Sequence, residues 1–68
     1  MEKFNVRLRE VRMAKKKTQK VTAEMLGMKV RSYQFYEQGT LEPNIKKLIA
    51  LADFFDVSMD YLTGRTDS

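Results

Sequence analysis

Two short helical patterns joined by a tight turn constrain this chain more than any other feature. The first opens at Thr18, whose hydroxyl suits a helix N-cap, and stops at Gly27, a residue that takes the left-handed conformation after a helix C-terminus. Val21, three residues after Thr18, is not Glu, so no capping box is present. The second pattern runs from about Val30 to Gln38 and stops at Gly39, with only the turn at Leu26-Gly27-Met28 between the two. Its core residues leave one face free, and that face carries polar and aromatic side chains.

The remaining segments read as support for this pair. Phe4, Leu8, Val11 and Lys15 recur at helical spacing, so a first helix is expected from about Asn5 to Lys15, its apolar stripe inward, before Lys15-Lys16-Lys17 breaks the pattern. Thr40-Leu41-Glu42-Pro43 forms the one long polar break, because Pro43 cannot sit inside a helix. Asn44 then caps a fourth helix with Ile45, Leu48, Leu51, Ala52 and Phe55 on its core face. Ser58 caps a short fifth helix holding Met59, Tyr61 and Leu62 before Gly64. Nothing alternates over a useful length as a strand would, there is no internal repeat, and Arg65–Ser68 reads as a frayed tail. The expectation is one all-α domain over residues 1–68, with its core in 4–64.

Composition narrows the function classes. A domain of 68 residues buries only about 60% of the surface its unfolded chain exposes, leaving little room for a catalytic cleft. With no Cys and no His, the chain lacks a disulfide framework, the usual zinc ligands, a cysteine nucleophile and the side chain best suited to proton transfer near neutral pH. No enzyme activity, metal or cofactor is therefore expected, and Asp53, Asp56 and Asp60 lack the spacing of a calcium loop. The longest apolar run, Leu48–Ala52, is far short of the roughly 18 residues a membrane helix needs, and Met1-Glu2-Lys3-Phe4 opens no signal-peptide pattern. The cytoplasm is the expected compartment. The net charge of +4 is uneven: the first twenty residues hold eight Lys/Arg against Glu2 and Glu10, and the rest is slightly acidic. Such a chain can present one basic face to a polyanion.

Six pieces in order then match a known family. Arg7-Leu8-Arg9-Glu10-Val11-Arg12, Thr18-Gln19, Ala23-Glu24-Met25-Leu26-Gly27, Tyr36-Glu37-Gln38-Gly39, Pro43 and Val57-Ser58-Met59-Asp60-Tyr61-Leu62 together resemble the XRE-like helix-turn-helix domain of phage repressors and Cro proteins. The resemblance covers residues 4–64. It implies a compact five-helix, lambda-repressor-like DNA-binding domain whose second and third helices form the helix-turn-helix and whose third helix enters the major groove, commonly as a two-fold dimer.

Carried onto this sequence, the resemblance assigns base contacts to Val30, Arg31, Gln34 and Phe35. A guanidinium at Arg31 can bond guanine O6 and N7 together, Gln34 can pair with adenine, and Val30 and Phe35 suit shape or a thymine methyl. Gln19 is implied as a DNA-backbone contact at the start of the second helix, with Lys17, Lys20 and Lys29 as further phosphate candidates. Arg12 and Glu37 resemble the family's pair linking the first helix to the third, and Tyr33 falls at its buried position. The sequence departs from the family at Lys16 and Lys17, where Gly and Leu are common, at Thr22, where an apolar residue is common, at Lys29, and in the loop Thr40-Leu41-Glu42, which lacks the usual basic residues.

These features lead to a sequence-specific regulator of transcription, a repressor acting by occlusion on double-stranded DNA. Phe54, Met59 and Tyr61 gather near the fourth-to-fifth helix junction, where so small a core is expected to leave them uncovered as a weak homodimer interface. The alternative is an antitoxin or adaptor that uses the same fold on a protein partner through Val21, Met25, Leu41 and Phe54. Val21 and Met25 are one turn apart on the expected outer side of the second helix.

Overall fold

In the computed structural model, residues 3–67 are described, and they form five helices: α1 (Phe4–Ala14), α2 (Gln19–Met25), α3 (Val30–Gln38), α4 (Ile45–Phe55) and α5 (Met59–Thr63). No strand occurs among the described residues. The all-α, five-helix expectation is met, with α1 beginning and ending one residue earlier than its periodicity suggests.

All five helices stop in the same way. An amide two or three residues past the helix returns to a carbonyl five residues back, and the residue just before that amide is left-handed. In the turn of the helix-turn-helix, Met28 N–H donates to Ala23 O at 2.9 Å and Gly27 N–H to Glu24 O at 3.0 Å, with Gly27 at φ +69°. The same bonds close α3 through Gly39 at φ +83° and α5 through Gly64. At α1 and α4 the left-handed position is instead filled by Lys16 (φ +57°) and Asp56 (φ +56°). The family commonly has glycine at the Lys16 position, and the positive φ supplies the reason. Gly39 also faces α1: a Cβ there would lie 3.1 Å from Asn5 Nδ2. At the opposite ends, Thr18, Asn44 and Ser58 accept from the amides of Val21, Lys47 and Tyr61, as their residue types led one to expect.

The core is built where these helices cross. α1 packs on α3 and α5, α2 on α3, and α4 on α5. Phe4, Leu8 and Val11 of α1 meet Tyr33 and Tyr36 of α3, and Leu48, Leu51, Ala52 and Phe55 of α4 close the interior with Leu62 of α5. Edge-to-face aromatic pairs fix the angles: Phe4 with Tyr36 at 6.4 Å and Tyr33 with Tyr36 at 6.1 Å between ring centres. Thr22 stands at the family's apolar position and is fully buried, its hydroxyl donating to Thr18 O at 2.9 Å. That bond removes the cost of burying the oxygen.

Four expectations need correction. Ile45 is not on the core face: it is 62% exposed, because the buried stripe of α4 runs through positions 48, 51, 52 and 55 and the first turn lies outside it. Met25 is half-buried against the core, so Val21 is the one large apolar group of α2 that stands exposed. Phe54, Met59 and Tyr61 are likewise half-buried and packed on the core, with the Phe54 ring 5.0 Å from that of Phe55. The small core covers more of them than its length suggested, and the large apolar groups exposed beyond α3 are Leu41, Ile45 and Ile49. Finally, Arg65–Asp67 does not fray. Arg65 N–H donates to Asp60 O at 2.8 Å, and the Arg7 guanidinium donates to Tyr61 O at 2.9 Å, to Thr66 O and to Asp67 at 3.0 Å while lying over the Tyr61 ring. Ser68, the last residue of the expected tail, lies outside the described residues.

Candidate nucleic-acid interface

A helix nine residues long with two buried tyrosines must present its other positions elsewhere. Tyr33 and Tyr36 hold α3 to the core, which turns Val30, Arg31 and Phe35 outward and leaves Gln34 half-exposed beside α2. Val30 and Phe35 are 38% and 39% exposed, so two large apolar groups stand in water on the same face as Arg31. An α-helix of ordinary diameter fits the major groove, and this mixed face offers hydrogen-bonding and apolar contacts together.

Beside that face lies an open concavity of about 780 Å³ between the end of α1, the start of α2 and α3. Arg9, Arg12, Lys16 and Lys17 line it against the single carboxylate of Glu37, so its field is positive. Gln19, Gln34 and Gln38 complete the wall. Arg9, Lys16 and Gln38 were not named as contact residues from the sequence. Arg9 lies on the outer face of α1, and the turn after Ala14 folds Lys16 back toward α2, which helical periodicity alone does not reveal. Lys20 and Lys29 are exposed on α2 and at the start of α3. Lys17 also places its ammonium 5.7 Å from the centre of the Phe54 ring.

The interface rests on a nearly enclosed ion pair. Arg12 Nε donates to Glu37 Oε2 at 2.6 Å and Nη2 to Oε1 at 3.2 Å, while Nη1 donates to Lys17 O at 3.0 Å. The side chains of Arg12 and Glu37 are only 14% and 5% exposed. Glu37 also accepts from the Tyr33 hydroxyl at 2.5 Å and from Gln19 Nε2 at 3.1 Å. Burial pushes the Glu37 carboxyl up, yet the bonds from Arg12, Tyr33 and Gln19 outweigh it and hold the carboxyl below its ordinary value. The Arg12 guanidinium is raised by the bond to Glu37, and the Tyr33 hydroxyl is raised by burial and by its bond to the same carboxylate. Arg12 and Glu37 thus occupy the linking position that the resemblance implies. Gln19 sits at the start of α2, its amide shared between Glu37 and Gln34, whose Nε2 donates to Gln19 Oε1 at 3.1 Å.

Comparison with known proteins agrees with this geometry. A helix-turn-helix family model matches residues 8–62, more than half of the chain. The chain belongs to the helix-turn-helix family. It is 44% identical over 61 residues to the uncharacterized HTH-type transcriptional regulator YobD of Bacillus subtilis, covering 90% of this chain and 54% of that protein. The HTH-type transcriptional regulator AnsR of the same organism is 41% identical over 59 residues, 87% of this chain and 51% of AnsR. The cryptic phage CTXphi transcriptional repressor RstR of Vibrio cholerae is 38% identical over 63 residues, 93% of this chain and 56% of RstR. The chain therefore spans about half the length of the curated relatives it matches. No solved structure matches it significantly. Among the described residues, no helix is long and apolar enough to cross a membrane.

Proposed function

We propose that this chain is a sequence-specific DNA-binding regulator of transcription that represses by occupying its site, working in the cytoplasm without cofactor or catalytic step. One observation carries the reading: the exposed face of α3, with Arg31 between Val30 and Phe35, adjoins a concavity lined by four cations. A helix-turn-helix regulator needs that juxtaposition, because phosphate contacts position the protein and base contacts specify the site. Arg31 and Gln34 supply hydrogen bonds to base edges, and Val30 and Phe35 read shape or thymine methyls. Lys17, Lys20, Lys29 and the start of α2 at Gln19 hold the backbone, joined by Arg9 and Lys16. The names of the relatives, regulators and a phage repressor, point the same way.

A weak homodimer completes the proposal. Two copies meeting about the α4–α5 junction, on the parts of Phe54, Met59 and Tyr61 that remain half-exposed, would set their α3 helices about 34 Å apart, one turn of B-DNA. The DNA would strengthen the contact by holding both subunits in place. The reading as a protein-binding adaptor keeps one favouring observation, the exposed Val21 and Leu41.

Selection of binding sites from random duplex DNA tests the proposal. A shared, near-palindromic motif is the expected outcome, with log K falling against log salt at a slope near −4 per subunit, for about four phosphates neutralised. No shared motif, or binding indifferent to salt, refutes it and favours the adaptor.

A further inference from the structure

The polar side chains behind α3 form a chain of hydrogen bonds with a fixed direction. A carboxylate has no proton to give, and its two oxygens offer about four acceptor sites. Those of Glu37 take Arg12 Nε and Nη2, the Tyr33 hydroxyl and Gln19 Nε2. Gln19 has one possible orientation beside such a group, with its NH2 toward Glu37. Its Oε1 must then face away, and Gln34 Nε2 donates to it at 3.1 Å. Gln34 is left with a free Oε1 and one free N–H. Had Gln19 stood the other way round, Gln34 would turn its oxygen inward and present two N–H groups.

The two states of Gln34 read different bases. In the major groove adenine offers a donor at N6 and an acceptor at N7, whereas guanine offers acceptors at both N7 and O6. One oxygen with one N–H matches adenine; two N–H groups match guanine. We infer that Glu37 and Gln19 are positioning residues for specificity: the carboxylate anchored on Arg12 dictates the direction of the Gln19 amide, which sets Gln34 to favour adenine over guanine. The inference rests on the proposed DNA-binding function. It assigns to Gln19 a task separate from holding the DNA backbone, and to Glu37 one separate from holding α3 to α1.

The test compares adenine and guanine at the site position whose preference is lost in Gln34→Ala, using duplexes from the selection. Gln19→Met removes the amide while leaving the Arg12–Glu37 pair in place. It should cut the guanine-over-adenine ratio of Kd values by on the order of tenfold, whatever it does to overall affinity, since one bidentate base contact is worth about that much. Glu37→Gln, where far-UV circular dichroism shows it folded, turns an amide NH2 toward Gln19 and should move the ratio in the same direction. In the free protein, NMR relaxation of the Gln34 side-chain NH2 should show it ordered in the wild type and mobile in Gln19→Met. Equal weakening on both bases by Gln19→Met, or a Gln34 NH2 equally mobile in both proteins, overturns the relay while leaving DNA binding standing. Failure of every duplex to bind overturns the function and the inference together.

Discussion

Replacing Glu37 by Ala is the severest test of the architecture behind α3. The side chain accepts four hydrogen bonds and is 5% exposed, so its removal strands the Arg12 guanidinium, the Tyr33 hydroxyl and the Gln19 amide at once. Breaking a buried pair by deleting one partner costs about 3–5 kcal/mol, mostly because an uncompensated charge remains. Arg12 keeps its bond to Lys17 O and is 14% exposed, which favours the lower end, about 3 kcal/mol. A domain of this size has a total stability of roughly 3–10 kcal/mol, so the variant should sit near the edge of folding. Arg12→Leu with Glu37→Leu should cost less than Glu37→Ala alone, since no charge is stranded. Urea unfolding followed by far-UV circular dichroism, across the double-mutant cycle, measures each term. The acid limb gives a second reading. The folded-state carboxyl lies below its ordinary 4.5, so the folded protein holds fewer protons there than the unfolded chain. Its contribution is complete above about pH 4.5 and is lost as pH falls through the folded-state value, so Glu37→Gln should flatten that limb. Strictly additive single and double variants, or an acid limb unchanged by Glu37→Gln, would refute the reasoning.

Other consequences can be measured separately. Arg31→Ala should relax preference at one base position and cost about 1–3 kcal/mol on the selected site, measured by titration against single-base variants; uniform weakening would make Arg31 a phosphate contact. Asp56→Gly should stabilise the fold by up to about 1 kcal/mol in urea unfolding, because φ +56° suits glycine and not aspartate; a loss of stability would show that Asp56 does something besides ending α4. Arg7→Lys should loosen the carboxy-terminal segment, since an ammonium cannot donate in a planar fork to Tyr61 O and Thr66 O or lie flat on the Tyr61 ring. Faster amide exchange at Arg65, bonded to Asp60 O, checks this, and unchanged exchange contradicts it.

Where a local signal was chemical, the sequence was readable. Thr18, Asn44 and Ser58 cap helices because a short oxygen can reach the third amide beyond it, and Gly27, Gly39 and Gly64 end helices because they tolerate positive φ. The same stop made by Lys16 and Asp56 carries no such mark, since those residues take the left-handed state within the local bonds Lys17 N–H to Arg12 O and Val57 N–H to Ala52 O, at a cost glycine would not have. Ile45 misled for a related reason: periodicity assigns a face but not how far the core extends along it. The α3 face and the Arg12–Glu37 pair were readable through the family pattern. The concavity that adds Arg9 and Lys16, and the clamp by Arg7 on Tyr61, Thr66 and Asp67, join residues distant in sequence, which no spacing rule can bring together.

A seam of buried charge between α1 and α3 needs a reason, because well-packed apolar residues there would hold the helices as firmly or more so. Stability does not supply that reason. Leu or Met side chains can fix the distance between two helices, but they cannot give a neighbouring amide a direction. Glu37 does so through Gln19, and the same carboxylate takes the Tyr33 hydroxyl, so the residue that anchors α3 inside also reaches the side chains facing outward. On the proposed reading, selection for base preference would act on a residue that is almost wholly enclosed. Substitutions at Glu37 should then separate into two effects: loss of fold where a charge is stranded, and changed base preference where the fold survives. A variant that kept full stability with an apolar seam and also kept the adenine preference would remove the need for the carboxylate.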